Sequence, residues 1–485
     1  MSQSQIHLCI IQPVGYVPSL GFLDQARYFR YQFRRLGAEV TIGKNRLRHD
    51  AINFVFGAHA GFDPNLTQRY RCVFVNLEQL GEHGAQVLPD YLHLLSTSPV
   101  VDYDARNASA YGKSGCVPIV SFACAPYLAT DVIQPIEERS NDVLFFGGMN
   151  ERRFQLLREV EAAGCKVSVL PFGIFGAERD EEIRRAKAVF NCHYYDSARF
   201  EQARVFQCLS LGTPVVSERT PVTDAPSQFE DSVFWVGSDS VRTFFQNEFR
   251  APSFADAARA RLNAFAAHDV LDQYASMLEN VMGHFAPLKM SSAPWQPQRL
   301  QIGSGKDYMA GWLNLDILPR AEPDLLLDLS APLSLPLRLE SALAGPVELR
   351  ADALDFIYAN NVLEHVGDLP QLMTNCLRLL RTGGQMLIEV PYEKAPSAWQ
   401  DPTHVRAFNE NSWIYYGEWF WYLGWIESRF SIVAQEYLDE KLAVTHIEHA
   451  HFMRVRLEKV ATTAKERSTA RSMRPDFGGI PEDVI

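Results

Sequence analysis

Residues 300–316 read LQIGSGKDYMAGWLNLD, and this stretch decides the fold of the second half of the chain. An apolar run at 300–302 leads directly into Gly303, Ser304 and Gly305, and a second apolar run at 312–315 ends in Asp316. A glycine turn lets the backbone approach a ligand closely, and an acid at a strand end can accept hydrogen bonds from both ribose hydroxyls. The stretch therefore predicts two strands with a nucleoside-binding turn between them.

Three further pieces follow in order. They are Asp328 with Leu329, the segment LDFIYANNVLEHV at 354–366, and LRLLRTGGQMLIEVP at 377–391. The last piece predicts a helix, a Gly-Gly turn and a buried strand. Taken together, the pieces resemble the class I S-adenosylmethionine-dependent methyltransferases over residues 299–460. The segment DPTHVRAF at 401–408 is similar to one found in small methyltransferases of surface-polysaccharide gene sets.

The resemblance implies a Rossmann-like domain that binds S-adenosylmethionine, with a role for each matching position. The glycine turn contacts the methionine part, the acid at 316 binds the ribose, the pair at 328–329 bounds the adenine, and the residue at 360 lies near the methyl group. The residues expected to bind the cofactor are Gly303, Ser304, Gly305, Asp316, Asp328, Leu329 and Asn360.

Candidate catalytic residues lie in two segments, Glu364 with His365 and Asp401 with His404. Methylation of a hydroxyl needs a base within hydrogen-bond reach of the proton, and a histidine near its ordinary pKa suits that role. We expect His404 to contact the acceptor or to act as the base; the alternative is a loop pinned by internal hydrogen bonds. Glu364 and His365 act either in acid–base chemistry or in shaping the substrate site, and the second is favoured. Arg406 is a candidate substrate ligand.

Two other clusters of the second half favour structural roles. His446, His449 and His451 form an H-x-x-H-x-H pattern, but on a strand His446 would point away from the other two. We therefore expect no metal site. The aromatic run from Trp413 to Trp425 favours packing in a core or an oligomer face, with a sugar-binding platform as the alternative.

The first half alternates between strand-like and helix-like segments, starting with a strand at 6–12 and a helix that Gly37 closes. A second series begins at 142–148. This alternation predicts parallel sheets covered by helices on both faces. A ligand of such sheets binds at the carboxyl ends of the strands, where the strand order reverses.

Residues 199–218, RFEQARVFQCLSLGTPVVSE, resemble the nucleotide-sugar segment of group-1 GT-B glycosyltransferases, whose pattern is R-x-F-E-A-x-x-x-G-x-P. The resemblance covers residues 5–285 and implies two Rossmann-like subdomains, at 1–140 and 141–285, that bind a nucleotide-sugar donor. The family's glutamate, which grips the donor ribose, is Gln207 here. A glutamine lacks the charge that makes the carboxylate contact strong.

Further candidate ligands and bases in the first half are chosen by their position in the sequence. Arg152 and Arg153 stand at a strand-to-helix turn, where a helix N-terminus and guanidinium groups hold a diphosphate; the alternative is a solvated helical turn. Asp24, Glu78 and His83 are candidate acceptor bases. The residues expected to bind the nucleotide-sugar are Gly147, Arg152, Arg153, Arg204, Gln207 and Gly212.

Length, composition and net charge limit the number of domains, the classes of partner and the location of the protein. A chain of 485 residues predicts two to four domains, with a Pro- and Ser-rich linker at 286–298 and a flexible tail at 461–485. The formal net charge of −12 argues against nucleic acid and anionic membranes as partners. We expect no signal peptide and no transmembrane segment. The eight cysteines form no C-x-x-C pair, which favours a cytoplasmic location.

The sequence thus predicts an α/β protein, a GT-B-like pair of Rossmann-like units followed by a class I methyltransferase domain. The expected function is that of a bifunctional glycosyltransferase and methyltransferase. It would act on a bacterial glycan or glycoconjugate, with a nucleotide-sugar donor and S-adenosylmethionine-dependent O-methylation of a sugar hydroxyl. One alternative is a methyltransferase whose inactive first half binds glycan. Another is a non-enzymatic assembly scaffold, and each is compatible with a homo-oligomer.

Overall fold

The computed structural model describes residues 5–129, 134–286 and 293–477. The chain forms two compact units, one of residues 1–45 and 51–289, the other of residues 46–50 and 290–485. Within the described residues, every helix is too short or too polar to cross a bilayer. Of the linker predicted at 286–298, residues 287–292 lie outside the described residues, and Trp295 forms a parallel bridge with Val347.

The first unit begins with a five-stranded sheet in the order β2-β1-β3-β4-β5, with all neighbours parallel. Its elements are β1 (Gln5–Ile10), α1 (Phe22–Arg35), β2 (Glu39–Lys44), β3 (Ile52–Phe56), β4 (Arg71–Asn76), α2 (Pro89–Thr97) and β5 (Val100–Asp102). Helix α1 forms where the sequence predicts it, because Ala26, Phe29 and Phe33 lie on one buried face. Gly37, with a φ of +82°, follows its end.

A second five-stranded sheet follows in the order β10-β9-β8-β6-β7, again entirely parallel. Its strands are β6 (Asn141–Phe145), β7 (Val167–Val169), β8 (Ala186–Asn191), β9 (Val215–Glu218) and β10 (Phe234–Val236). Its helices are α3 (Glu151–Ala162), α4 (Ala177–Arg185), α5 (Gln202–Ser210), α6 (Ser227–Glu230), α7 (Val241–Asn247), α8 (Phe254–Ala266) and α9 (Leu271–Phe285). Two sheets of this kind in one unit are the Rossmann-like pair that the resemblance to GT-B enzymes implies.

Helix α9, near the end of this unit, packs against helix α1, near its beginning. Tyr274 of α9 is fully buried, and its ring centroid lies 5.1 Å from that of Phe29 on α1. Phe206 of α5 stacks on Phe122 at 4.7 Å in the same core cluster. Contacts between large aromatic rings contribute much of the apolar burial here, so the two sheets share one core.

The second unit is built on an eight-stranded sheet in the order β13-β12-β11-β16-β17-β20-β18-β19. Its strands are β11 (Arg299–Ile302), β12 (Leu313–Asp316), β13 (Leu325–Leu326), β16 (Leu354–Asn360), β17 (Leu380–Pro391), β18 (Ser428–Leu438), β19 (Val444–Thr445) and β20 (Phe452–Ala461). The first five in spatial order are parallel and the last three antiparallel. A separate hairpin pairs β14 (Leu337–Ser341) with β15 (Gly345–Leu349). The helices are α10 (Leu369–Leu379), α11 (Ser397–Gln400) and α12 (Ala464–Ser472).

Two details of this unit differ from the sequence-based expectation. The glycine pair expected to form a turn between helix and strand lies inside β17, where the register with β16 shifts between Leu354 and Phe356. The flexible tail expected at 461–485 contains helix α12, with a capping box in which the side chain of Thr463 accepts a hydrogen bond from the N–H of Glu466. Of that predicted tail, residues 478–485 lie outside the described residues.

Candidate active sites

The glycine turn of the second unit follows β11 in the chain. In space it lies at the carboxyl edge of the sheet beside β16, where the strand order reverses. Gly303 has a φ of +63°, and a Cβ atom there would lie 2.3 Å from Cγ2 of Val362. Only glycine fits, because the left-handed backbone strains other residues and the neighbouring space is filled. The turn and the segment after β16 therefore pack against each other at the carboxyl edge of the sheet, the usual ligand position in open α/β sheets.

Asp316, the last residue of β12, holds the glycine turn in place. Its Oδ2 accepts a hydrogen bond from the N–H of Gly305 at 2.9 Å, and its Oδ1 accepts one from the N–H of Leu318 at 2.8 Å. Each carboxylate oxygen has a further lone pair. The side chain, 8% exposed, thus orders the turn and can still accept hydrogen bonds from ribose hydroxyls.

The other predicted cofactor residues also follow strands. Ser304 is buried, and its hydroxyl oxygen has no hydrogen-bond partner among the described residues. After β13, the exposed Asp328 accepts hydrogen bonds from the N–H and the hydroxyl of Ser330 at 2.8 and 2.7 Å, and Leu329 is buried. Asn360 ends β16. The predicted set therefore lies along the carboxyl ends of four adjacent strands.

A buried acid and a histidine face each other beside this edge. Glu364 lies in the 3-10 turn Leu363–His365 after β16, and Nε2 of His404 is 4.0 Å from its Oε1. Nδ1 of His404 is 2.9 Å from the carbonyl oxygen of Ala398. Because a carbonyl oxygen only accepts, Nδ1 carries the proton and Nε2 is the basic nitrogen.

The environment of Glu364 is unusual for a carboxyl group. The side chain is 1% exposed, and neither carboxylate oxygen has a hydrogen-bond partner among the described residues. Burial raises its pKa to about 7, although His404 opposes the rise. A carboxyl group perturbed in this way beside an imidazole is typical of a functional site.

Asp401 orders the histidine loop internally, and Arg406 joins that loop to the segment after β16. The side chain of Asp401 accepts hydrogen bonds from the N–H and the hydroxyl of Thr403 at 2.8 and 2.6 Å. Nη2 of Arg406 donates to the carbonyl oxygens of Val366 and Gly367 at 2.7 and 2.8 Å. These contacts shape the loop, and the catalytic role of Asp401 and the substrate-binding role of Arg406 stay predictions.

Potential metal ligands gather at the same place. Glu364, His365 and His404 present ligand atoms that all lie within 4.8 Å of one another, a spacing that a divalent ion could bridge. The histidines considered from the sequence lie elsewhere: His446 precedes, and His449 ends, the 3-10 turn Ile447–His449. The sequence analysis expected no metal site from that histidine pattern, and the group that the structure brings together is a different one.

The aromatic run after this loop divides between core and surface. The buried rings are Trp413, Tyr416, Phe420 and Trp425. The exposed rings are Tyr415, Trp419 and Tyr422. The ring centroid of Tyr415 lies 5.3 Å from that of Trp419 and 5.5 Å from that of Tyr422. The buried rings pack in the core, and the sugar-binding alternative applies to the exposed three.

In the first unit, a cavity of about 280 Å³ lies between the two sheets. Each residue that immediately follows β4, β5, β6 or β7 lines it, namely Leu77, Tyr103, Phe146 and Leu170. Helices α1, α4 and α5 contribute polar groups to its wall. The cavity therefore has the position expected of a nucleotide site, at the carboxyl ends of strands from both sheets.

A chain of hydrogen bonds beside this cavity joins α5 through α4 to α1. Nε2 of Gln207 donates to Oδ1 of Asp180 at 2.9 Å, and Arg179 donates to Asp180 and to Asp24, each at 2.8 Å. All four side chains are buried. A glutamate at 207 could not donate to Asp180 and would bring two carboxylates together, which gives a local reason for the glutamine.

Gly147 and Arg204, two of the residues predicted to bind the nucleotide-sugar, line the cavity together, and their binding role stays a prediction. Gly147 has a φ of +124°, and a Cβ atom there would lie 2.9 Å from Nη2 of Arg204. Nη1 of Arg204 donates to Oδ1 of Asn191 at 3.3 Å, and the guanidinium lies 5.6 Å from the ring centre of Phe146. Gly212 instead forms the turn after α5, with a φ of +78°.

Arg152 and Arg153 have structural partners, which corrects the prediction that they hold a diphosphate. Arg153 is 2% exposed and donates to the carbonyl oxygens of Gly148 and Cys192 at 2.7 and 2.8 Å. Nη1 of Arg152 donates to the buried carboxylate of Glu218 at 2.7 Å. The N–H groups that make these bonds are thus committed to the protein itself.

Sequence reasoning missed Glu201, which lines the cavity just before α5. Its Oε1 is buried without a hydrogen-bond partner among the described residues, and its Oε2 lies 3.2 Å from Nδ1 of His193. Burial acts to raise the pKa of Glu201, but His193, Arg204 and Arg153 together hold it below its usual value. Its place in the quoted motif, shortly before Arg204, was the available signal.

Of the three candidate acceptor bases, only Asp24 lines the cavity. Glu78 lies 3.6 Å from Nε2 of His59, and His83 is exposed beside Glu82. Asp24 is bound to an arginine, so its carboxylate is held in place and partly neutralised.

A family model described as a methyltransferase domain matches residues 131–424 of this chain. A solved glycosyltransferase involved in avilamycin A biosynthesis is 13% identical, with a TM-score of 0.38 over 59% of this chain and 100% of that one. The Anabaena protein HepE, solved in complex with UDP and glucose, is 13% identical, with a TM-score of 0.39 over 58% and 100%. An S-adenosylmethionine-dependent methyltransferase from Mesorhizobium loti is 16% identical, with a TM-score of 0.23 over 34% and 91%. The sequence has no significant match among curated proteins.

Proposed function

This chain belongs to the methyltransferase-domain family, and on that premise we propose that its second unit methylates a sugar hydroxyl with S-adenosylmethionine. The first unit transfers a sugar from a nucleotide-sugar, and both reactions act on a bacterial glycan or glycoconjugate. The observation that carries the proposal is the pair of His404 and Glu364 beside the glycine turn. A hydroxyl acceptor must lose its proton during such a transfer, and this pair supplies a base and its partner.

The residues at the carboxyl edge fit the cofactor. Bound S-adenosylmethionine supplies a methyl group activated by a positively charged sulfur. Asp316 offers lone pairs to the ribose hydroxyls, and Ser304 offers a buried hydroxyl that lacks a partner among the described residues. Gly303 lets the backbone approach the ligand, and Leu329 bounds the adenine ring.

His404 acts as the base in this proposal. Its Nδ1–H is fixed on the carbonyl oxygen of Ala398, which orients the ring and leaves Nε2 to receive the acceptor proton. The imidazolium that forms is stabilised by Glu364, whose Oε1 is 4.0 Å away. Alignment of the hydroxyl with the methyl donor contributes most of the remaining rate, through proximity.

The first unit binds the nucleotide-sugar in the cavity between its sheets. Arg204 contacts a phosphate group, because it lines the cavity and forms no ion pair within the described residues. Glu201, with an oxygen that lacks a hydrogen-bond partner there, accepts a hydrogen bond from a sugar hydroxyl. Gly147 keeps the space that the Arg204 guanidinium occupies.

A second candidate function keeps methyl transfer and drops sugar transfer. Gln207 favours it, because its amide N–H is bonded to Asp180 and it lacks the charge that binds a donor ribose strongly. In this candidate the first unit only holds the glycan that the second unit methylates.

Both reactions belong in the cytoplasm in this proposal. All eight cysteines are unpaired in the structure, a state typical of proteins in reducing compartments. Covalent linkage of the two units then raises the effective concentration of any shared intermediate.

The experiment uses the full chain with methyl-labelled S-adenosylmethionine, a panel of saccharide acceptors and several nucleotide-sugars. His404→Ala is expected to lower the methylation rate at least about 100-fold while cofactor affinity stays unchanged. Arg204→Ala is expected to abolish nucleotide-sugar turnover and to leave methylation intact. Methylation that survives His404→Ala would overturn the assigned base. Methylation by the wild type without nucleotide-sugar turnover would select the second candidate.

A further inference from the structure

A second cavity of the first unit, of about 400 Å³, is lined mainly by arginines. The lining residues are Arg27, Arg30, Tyr31, Arg34 and Arg35 of α1, with Tyr127. The chain carries a formal net charge of −12, so this concave surface is opposite in sign to the protein as a whole. A concentration of one charge in a concavity raises the local concentration of the opposite ion.

Helix α1 presents Arg27, Arg30 and Arg34 on one face, because residues three and four positions apart are neighbours on a helix. Like charges at these spacings repel and destabilise the helix. Burial lowers the pKa of Arg30, and Arg34 and Arg27 lower it further by repulsion. The arrangement is thus unfavourable in the empty protein and becomes favourable when an anion is bound.

The acids that border this face are already neutralised. Arg35 donates to Oδ1 of Asp269 at 2.8 Å. Asp24, one turn before Arg27, accepts a hydrogen bond from Arg179 at 2.8 Å. The charge of Arg27 also acts to lower the pKa of Asp24, so Asp24 balances part of that charge, whereas no acid is among the groups that shift the pKa of Arg30.

Those remaining arginines keep their donors for a ligand. The guanidinium of Arg27 lies 5.5 Å from the ring centre of Tyr127, a cation–π contact, and its N–H groups form no hydrogen bond with the described residues. Within the part of the chain that the structure describes, Arg30 and Arg34 have no acid within ion-pair distance. Three guanidinium groups and two tyrosine rings thus surround one cavity.

We propose that this arginine cavity binds a phosphate or diphosphate ester through Arg27, Arg30 and Arg34. Guanidinium groups donate paired N–H bonds that match phosphate oxygens, and such charge-assisted bonds are the strong ones. The ester belongs either to a free phosphorylated metabolite or to a lipid headgroup, since both present the same oxygens. The site is distinct from the cavity between the sheets and does not depend on sugar or methyl transfer.

The test measures the binding of two probes to the full chain. Calorimetry with inorganic pyrophosphate detects the free ester, and flotation with phosphatidylglycerol vesicles, against phosphatidylcholine vesicles, detects the headgroup. The variant is Arg30→Gln with Arg34→Gln. The matched control is Arg158→Gln with Arg456→Gln, which removes the same charge from exposed arginines outside the cavity.

The proposal expects at least one probe to bind the wild type and the control alike, and the cavity variant at least roughly ten-fold more weakly. Binding of pyrophosphate identifies a free ester, and binding only of anionic vesicles identifies a headgroup. Absence of binding by both probes, or equal losses in cavity variant and control, would overturn the proposal. The cavity variant should unfold at the same temperature as the wild type or higher, because it relieves repulsion, and lost binding then cannot reflect misfolding.

Discussion

Replacing Glu364 by glutamine removes a buried negative charge and preserves the shape of the side chain. Both carboxylate oxygens lack hydrogen-bond partners among the described residues, and the nearest basic nitrogen, Nε2 of His404, is 4.0 Å away. Because the folded pKa is raised from 4.5 to about 7, the native state resists an ionisation that the unfolded chain undergoes freely. The wild type therefore keeps its full stability below pH 4.5 and loses part of it as the pH rises through 7.

The size of this loss of stability follows from the same difference in pKa between the folded and the unfolded chain. Each unit of difference between folded and unfolded pKa corresponds to about 1.4 kcal/mol, so the buried carboxylate of Glu364 costs roughly 3 kcal/mol above pH 8. Glu364→Gln should abolish this loss and raise the unfolding temperature of the second unit by roughly 10 °C at pH 8.5. At pH 4 the variant and the wild type should unfold at nearly the same temperature, because the carboxyl is then neutral.

The assay is calorimetric unfolding of the full chain between pH 4 and 9. The transition of the second unit is the one that S-adenosylmethionine raises. Glu418→Gln serves as the control, because it removes the same charge from an exposed side chain and should leave both transitions unchanged. The gain in stability should accompany a methylation rate about 10 to 100 times lower, since the imidazolium of His404 loses its partner.

Two results would refute this reasoning. If Glu364→Gln left the pH dependence of unfolding unchanged, the buried carboxyl would not be the titrating group. If added divalent metal stabilised the wild type and Glu364→Gln removed that gain, the three close ligand groups would be a metal site instead of an acid–base pair.

Two further substitutions test the glycine turn and the cavity between the sheets. Gly303→Ala should cost at least about 3 kcal/mol of unfolding free energy, because its Cβ meets Val362. Gly305→Ala should cost about 1–2 kcal/mol, because its Cβ would meet only the carbonyl oxygen of Gly303, at 3.9 Å. Equal costs in denaturant titrations would contradict the packing. Gln207→Glu should lower the stability of the first unit by about 1–3 kcal/mol, because a carboxylate cannot donate to Asp180. Unchanged or higher stability of Gln207→Glu in the same titration would show that this hydrogen bond contributes nothing.

The periodic and turn signals in the sequence predicted much of the fold. Strands β11, β12 and β16 and the position of Asp316 follow from apolar runs bounded by glycine and an acid. Helix α12 was also readable, because Thr463 and Glu466 have the spacing of a capping box. The Ser/Thr/Arg-rich composition around that signal instead favours a flexible tail, so composition and local capping point to different structures here.

Contacts between distant segments could not be predicted in the same way. Arg152 and Arg153 stand at a helix start that favours phosphate, but their partners come from residues far along the chain, such as Glu218 and Cys192. The bond from Gln207 to Asp180 likewise joins two helices, so the substitution in the motif gave no sign of its cause. Local patterns specify elements, while burial and pairing depend on which elements meet.

Calorimetric titration of the full chain with S-adenosylmethionine tests the central claim most directly. The account predicts one saturable site that Asp316→Ala weakens at least about ten-fold, because the variant loses both the ribose acceptor and the anchor of the glycine turn. Asp328→Ala, at an exposed neighbouring strand end, should weaken binding less, with both variants confirmed as folded by circular dichroism. Absence of saturable binding by the wild type, or binding by Asp316→Ala as tight as the wild type's, would contradict the account.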